Sequence, residues 1–202
     1  MSAQKWLGIG CLGVLLFICI GSLVVVQNVR KLGAFAIEKV VEASINDLDL
    51  PEEDAAEVRS SIGELTEAYK SGEIDSKELK DFASSIAEDP MLTIGLAVHA
   101  IRHEGLRESD LPAPEKAASA RTCERFLRGL DEGKISQEDG EDVFDGFEAE
   151  MKDIIEQRLR TDELRELIDG LDRIVEERGI PDEPYSVDFG DHVQQQVDQI
   201  LR

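Results

Sequence analysis

The sequence predicts an all-α protein: an N-terminal transmembrane helix, then a helical bundle built from a duplicated helix-turn-helix (three-helix) unit plus C-terminal helices. Three observations predict it. Residues 6–29 form an uncharged apolar run, and beyond them apolar residues recur three and four positions apart, the period of one helical face. The chain also aligns with itself, without a gap, at an offset of 61 residues.

The apolar run lies between Lys5 and Arg30. At about 1.5 Å per helical residue, roughly 20 residues cross a hydrocarbon core of about 30 Å. Leu7, Leu12, Leu16, Ile20 and Val26 belong to a set of thirteen Leu, Ile, Val or Phe between positions 7 and 26. They favour insertion by roughly 4–8 kcal/mol before the glycines and Ser22 reduce it. Trp6 stands where an aromatic ring meets the headgroups. Residues 1–31 are therefore expected to be a single-pass membrane anchor with its flanks, with the lipid bilayer as partner through residues 6–29. Ala34-Phe35-Ala36 has the form of a signal-peptide cleavage site, but the apolar run is too long for a signal and Arg30-Lys31 intervene. Neither Cys11 nor Cys19 has a convincing lipobox. The basic residues on the two flanks are too evenly matched to set the side on which the rest of the chain lies.

That remainder is strongly acidic. All 44 acidic residues lie beyond residue 31, against 19 of the 22 basic ones, a net of −25 there. Phosphate neutralisation needs the opposite sign, so nucleic-acid binding is excluded. Anionic headgroups would repel the domain too, except at Arg30 and Lys31. Its apolar periodicity marks residues 32–179 as a folded helical domain rather than a disordered acidic tail.

The repeat units span about 34–88 and 95–149. Asp49-Leu50-Pro51 falls on Asp110-Leu111-Pro112, Gly72 on Gly133 and Ile74 on Ile135. Within the first unit a helix over about 34–46 precedes one over 52–71, where Ala55, Val58, Ile62, Leu65 and Tyr69 share a face. Gly72 ends that helix, Asp75 caps the next over 76–88, and Glu78 completes a capping box. In the second unit Asp89-Pro90 opens a helix over 90–106. The next, over 113–132, carries Ala117, Ala120, Cys123, Leu127 and Leu130, and Gly133 and Ser136 repeat the stop and start before a helix over 137–160. Asp139 stands in for Glu78. An amphipathic helix over 162–178 follows, then a proline-containing linker and a last amphipathic helix from about Asp191, together residues 180–202.

Candidate chemistry is sparse. The two turns resemble the second half of an EF-hand loop. Gly72, Ile74, Asp75 and Glu78 occupy the slots of the sharp-turn glycine, the apolar residue, a late ligand and the closing glutamate, and Gly133, Ile135, Ser136 and Asp139 nearly do. The first half departs from that pattern: Glu67, Tyr69 and Ser71, then Arg128, Leu130 and Glu132, stand where its first ligands belong. Tyr69 and Leu130 also lie on apolar faces, so capped turns explain the matched residues without calcium. His99 and His103, four apart on one helix, have metal-ligand spacing, but no third ligand is visible and their repeat partners are Glu38 and Glu42. Solvent-facing histidines are the simpler expectation. Cys123 takes the slot of Ile62 and reads as a core residue. No phosphate loop, serine elbow or haem-attachment sequence is present, and no cofactor is implied.

The chain is accordingly expected to be a membrane-anchored scaffold or protein-interaction module, not an enzyme, with a protein partner or self-association. A calcium- or zinc-binding membrane sensor is the alternative.

Overall fold

The computed structural model describes residues 37, 39, 41, 42, 45, 50–145 and 160–202. They are helical with no strand among them, and seven helices have describable bounds. We number these α1 (Glu52–Ser71), α2 (Ser76–Glu88), α3 (91–108), α4 (Ala113–Asp131), α5 (Gln137–Asp145), α6 (Thr161–Glu177) and α7 (Phe189–Ile200). Among the described residues no helix is long and apolar enough to cross a membrane. The expected span at 6–29 lies outside them, as do most of the helix expected over 34–46 and the end of that expected over 137–160.

The chain divides into two compact units. One takes the described residues up to Thr93 and adds Asp188–Arg202 from the C-terminus; the other is Ile94–Val187. The backbone thus crosses between them twice, and α7 belongs with α1 and α2 although about a hundred residues separate them in sequence.

In the first unit α1 opens after Pro51, whose φ of −50° suits a helix entry and whose missing N–H leaves no donor unpaired. Glu52, Glu53 and Asp54 complement the dipole of its first turn. It ends at Gly72, with φ +84°, where the amides of Glu73 and Ile74 both donate to the Ala68 carbonyl at 2.9 and 3.3 Å. Asp75 Oδ1 then accepts from the amides of Lys77 and Glu78, while Glu78 Oε2 accepts from the Asp75 amide at 2.7 Å. The apolar stripes of α1 and α2 close over a core that includes helical Ile37, Val41 and Ile45, with Val193 and Val197 contributed by α7.

The second unit repeats these local solutions. Gly133 has φ +65°, and the amides of Lys134 and Ile135 donate to the Gly129 carbonyl, 61 positions after Ala68. The Ser136 amide donates to Asp139 Oδ2 at 2.8 Å and the Asp139 amide donates to Ser136 Oγ at 3.2 Å, a second reciprocal cap. Helix α3, whose first residues belong to the first unit, is capped by Asp89, whose Oδ1 accepts from the Met91 and Leu92 amides. It runs through two π-type turns, Met91–Gly95 and Ile101–Gly105. Lys116 of α4 donates to the carbonyls of Arg107 and Ser109, closing the end of α3 from outside. Helix α6 packs on α4 and α5.

The buried stripe of α4 begins later than its sequence suggests. Ala117 is exposed and Ala120 only half-buried, whereas Ser119, Thr122, Cys123 and Phe126 are buried. Shifted back by 61, these fall on Val58, Ser61, Ile62 and Leu65, all buried on α1. Two of these first four buried positions of α4 carry hydroxyls, which is why apolar residues alone misplace the stripe.

Candidate functional site

Each hairpin presents a face that is covered by one further helix, and the two faces share a register. On α1, Ser61 donates to Gln194 Oε1 of α7 at 2.5 Å; on α4, Thr122, 61 positions on, donates to Asp172 Oδ1 of α6 at 3.2 Å. The covering helices match as well. Phe189, Val193 and Val197 of α7 are buried, and so are Leu167, Leu171 and Val175 of α6, each 22 positions earlier. A hydroxyl at the centre of each face therefore meets a polar side chain between buried apolar anchors four residues apart. Side chains spaced by four lie one above another along a helix, so this is a groove cut for one amphipathic helix.

Polar contacts set the seating of α7. Asp54, only 7 % exposed, accepts the Phe189 amide at 3.1 Å, so it holds the first turn of α7 against the first turn of α1. Burial raises its carboxyl above the ordinary value, against the lowering effect of that amide. At the other edge Asp89 Oδ2 accepts from Gln196 Nε2 at 3.0 Å and lies 3.5 Å from His192 Nδ1. Burial pushes the Asp89 carboxyl up, but His192 and the two amides of α3 outweigh it and the net shift is downward. In the second unit Arg165 of α6 pairs with Glu115 at 2.5 Å, and Arg125 donates to Glu176 and to the Ile180 carbonyl.

Where α7 starts, three carboxylates crowd together. Glu57, Asp188 and Asp191 form the one group of three potential metal ligands among the described residues, with ligand atoms within 4.8 Å of one another. The charge of Asp188, then desolvation, then the charge of Asp191 raise the Glu57 carboxyl. Gly190 permits the approach: a Cβ there would collide with Glu57 Oε2 and lie 2.6 Å from the Glu57 Cβ. The cluster has a full account without an ion, because Asp188 caps α7 by accepting the Asp191 amide at 3.0 Å. Acidic residues at a helix N-terminus are favoured by its dipole. No sequence signal brings Glu57 to Asp188; they meet only through the docking of α7.

The residues singled out by sequence lie elsewhere. Gly72, Asp75 and Glu78 sit in one turn, Gly133 and Ser136 in the other, and their oxygens are aimed at backbone amides rather than at a common centre. Tyr69 and Leu130 are buried, 2 % and 7 % exposed. His99 and His103 do come together, their rings stacked with centroids 4.3 Å apart, and among the described residues no third ligand joins them. The expectation of solvent-facing histidines needs correction, for His99 is buried at 4 % exposed. The repeat partners Glu38 and Glu42 do not predict this burial, and α3 carries π-type turns on either side of His99 that shift its faces from those of a regular helix. Cys123 is fully buried, and burial drives its thiol up to about 12, so it carries no thiolate at neutral pH. Leu7, Leu12, Leu16, Ile20 and Val26, expected from sequence to span a membrane, lie outside the described residues.

Compared with known proteins, the chain matches no family model, no curated protein and no solved structure.

Proposed function

We propose that this protein is a single-pass membrane-anchored helical scaffold, or interaction module, built on a duplicated hairpin whose apolar face receives a helix. The observation that carries the reading is the shared register of the two grooves: a hydroxyl at Ser61 or Thr122 meeting a polar residue between apolar anchors at spacings of four. The duplication rests on that register and on the matched turns at Gly72 and Gly133. The membrane attachment rests on sequence, the uncharged run over 6–29. Helix-in-groove recognition needs such anchors and no catalytic group. Carbonate extraction and ultracentrifugation of the full-length protein test the anchor; the protein is expected in the pellet, and its recovery in the supernatant would refute it. Co-purification from detergent tests the module, and the absence of both a specific partner and self-association would count against it.

Cation sensing is the second reading, favoured by the Glu57, Asp188 and Asp191 cluster rather than by the turns. The carboxylates of the turns are engaged in caps, and Asp188 is as well. Calorimetry of the full chain with millimolar calcium or zinc decides between them: saturable heat abolished by Glu57→Gln supports the sensor, and none removes it.

A further inference from the structure

The groove of the first unit holds a helix whose first turn crowds carboxylates against it, although His192 further along lies 3.5 Å from Asp89. From its cap onward α7 carries Asp188, Asp191 and Asp198 and no lysine or arginine before Arg202. It lies on a helix, α1, that carries Glu53, Asp54 and Glu57 at the same end. The carboxylates of Glu57, Asp188 and Asp191 come within 4.8 Å of one another, and like charges so placed oppose docking. Its buried apolar side chains are Phe189, Val193 and Val197, with Ile200 and Leu201 partly buried against the same core, and a twelve-residue helix is marginal alone. It reaches the groove by a segment that contains Pro181 and Pro184.

We propose that α7 is a displaceable cover of the α1–α2 face, and that the face is the receptor for a basic amphipathic helix of a partner protein. This deepens the scaffold reading and rests on it. Such a helix would keep the apolar anchors at spacings of four and the polar residue that meets Ser61. It would bring lysine or arginine to the end where Glu57 and Asp54 stand, turning repulsion into attraction. Asp54 would accept its first free amide as it accepts that of Phe189. Because α7 competes for the same face, the apparent affinity is the intrinsic one multiplied by the fraction of molecules in which α7 is unseated.

The test uses the full-length protein in detergent and a labelled peptide with the sequence of α7 in which Asp188, Asp191 and Asp198 are replaced by lysine. Fluorescence anisotropy reads its binding. Val197→Asp, which weakens the seating of α7, is expected to tighten binding by about tenfold or more. A Ser61→Cys, Gln194→Cys pair, made with Cys11 and Cys19 replaced by serine, is expected to abolish binding when oxidised and restore it on reduction. If Val197→Asp unfolds the unit, as circular dichroism would show, the oxidised and reduced pair alone decides. Equal binding by the oxidised and reduced forms overturns the proposal. So does equal binding by a peptide of the same composition with its apolar positions permuted, which marks attraction by charge alone. Neither result alters carbonate extraction or co-purification, so failure here is distinct from failure of the scaffold reading.

Discussion

At Asp89, two amides of α3, Gln196 and His192 converge on one carboxylate whose side chain is 11 % exposed. Asp89→Ala leaves those donors without their acceptor, and an unmade buried bond costs roughly 1–3 kcal/mol. Urea denaturation should show a loss of that size, larger than for Lys77→Ala, whose exposed pair with Asp81 belongs to the class worth little. The Asp89 carboxyl is lower in the folded protein than its usual 3.8, so its contribution is present above that value and lost as pH falls through the lower folded one. Glu57 has the opposite sign. Its folded value is raised above 4.5, chiefly by Asp188, so its charge is a penalty at neutral pH that is relieved as pH falls through the raised value. Glu57→Gln is expected to raise the urea midpoint at pH 7 and to leave it unchanged at pH 4; a lowered midpoint at pH 7 would show that its carboxylate is stabilising.

Among the elements, glycines separate two kinds of constraint. Gly133 has φ +65° and open space within 4 Å of where a Cβ would stand, so Gly133→Ala meets only the backbone cost of the left-handed region, about 1–2 kcal/mol. Gly129 lies within α4, where alanine usually gains up to about 1 kcal/mol. Here a Cβ would collide with Ile135 Cδ1 and lie 2.7 Å from its Cγ1, and Ile135 is 2 % exposed. Gly129→Ala should therefore destabilise, by about 1–3 kcal/mol for an overpacked core. Thermal unfolding of both variants checks this, and a stabilised Gly129→Ala would mean that Ile135 has room to turn. The bounds of α1 and α2 follow from their punctuation: Pro51, Gly72, Asp75 and Glu78 are local signals whose partners lie within a few residues. The same holds for Asp89 before α3. What local signals miss is the π-type geometry inside α3, the burial of His99 between its two π-type turns, and the hydroxyl-bearing stripe of α4.

For the whole molecule, the placement of α7 matters most. Ending the chain after Val187 removes Phe189, Val193 and Val197 from the first unit and none of the described core of Ile94–Val187. Amide hydrogen exchange should then accelerate in α1 and α2 while α4 and α6 keep their protection, because local stability follows buried apolar contact. Uniform acceleration across all four helices would mean that the two units unfold as one.

From its sequence alone the chain is all-helical, acidic beyond residue 31 and punctuated at Gly72, Asp75, Gly133 and Ser136, because periodicity, charge and caps act over one or two helical turns. Tertiary structure decided that α7 completes the unit at the other end of the chain, that Ser61 and Thr122 mark equivalent grooves, and that Glu57 faces Asp188 and Asp191. Amphipathic helices state that they have a face to bury but not against what. The choice among the available faces is made by packing and charge between residues far apart in sequence, for which no local pattern exists.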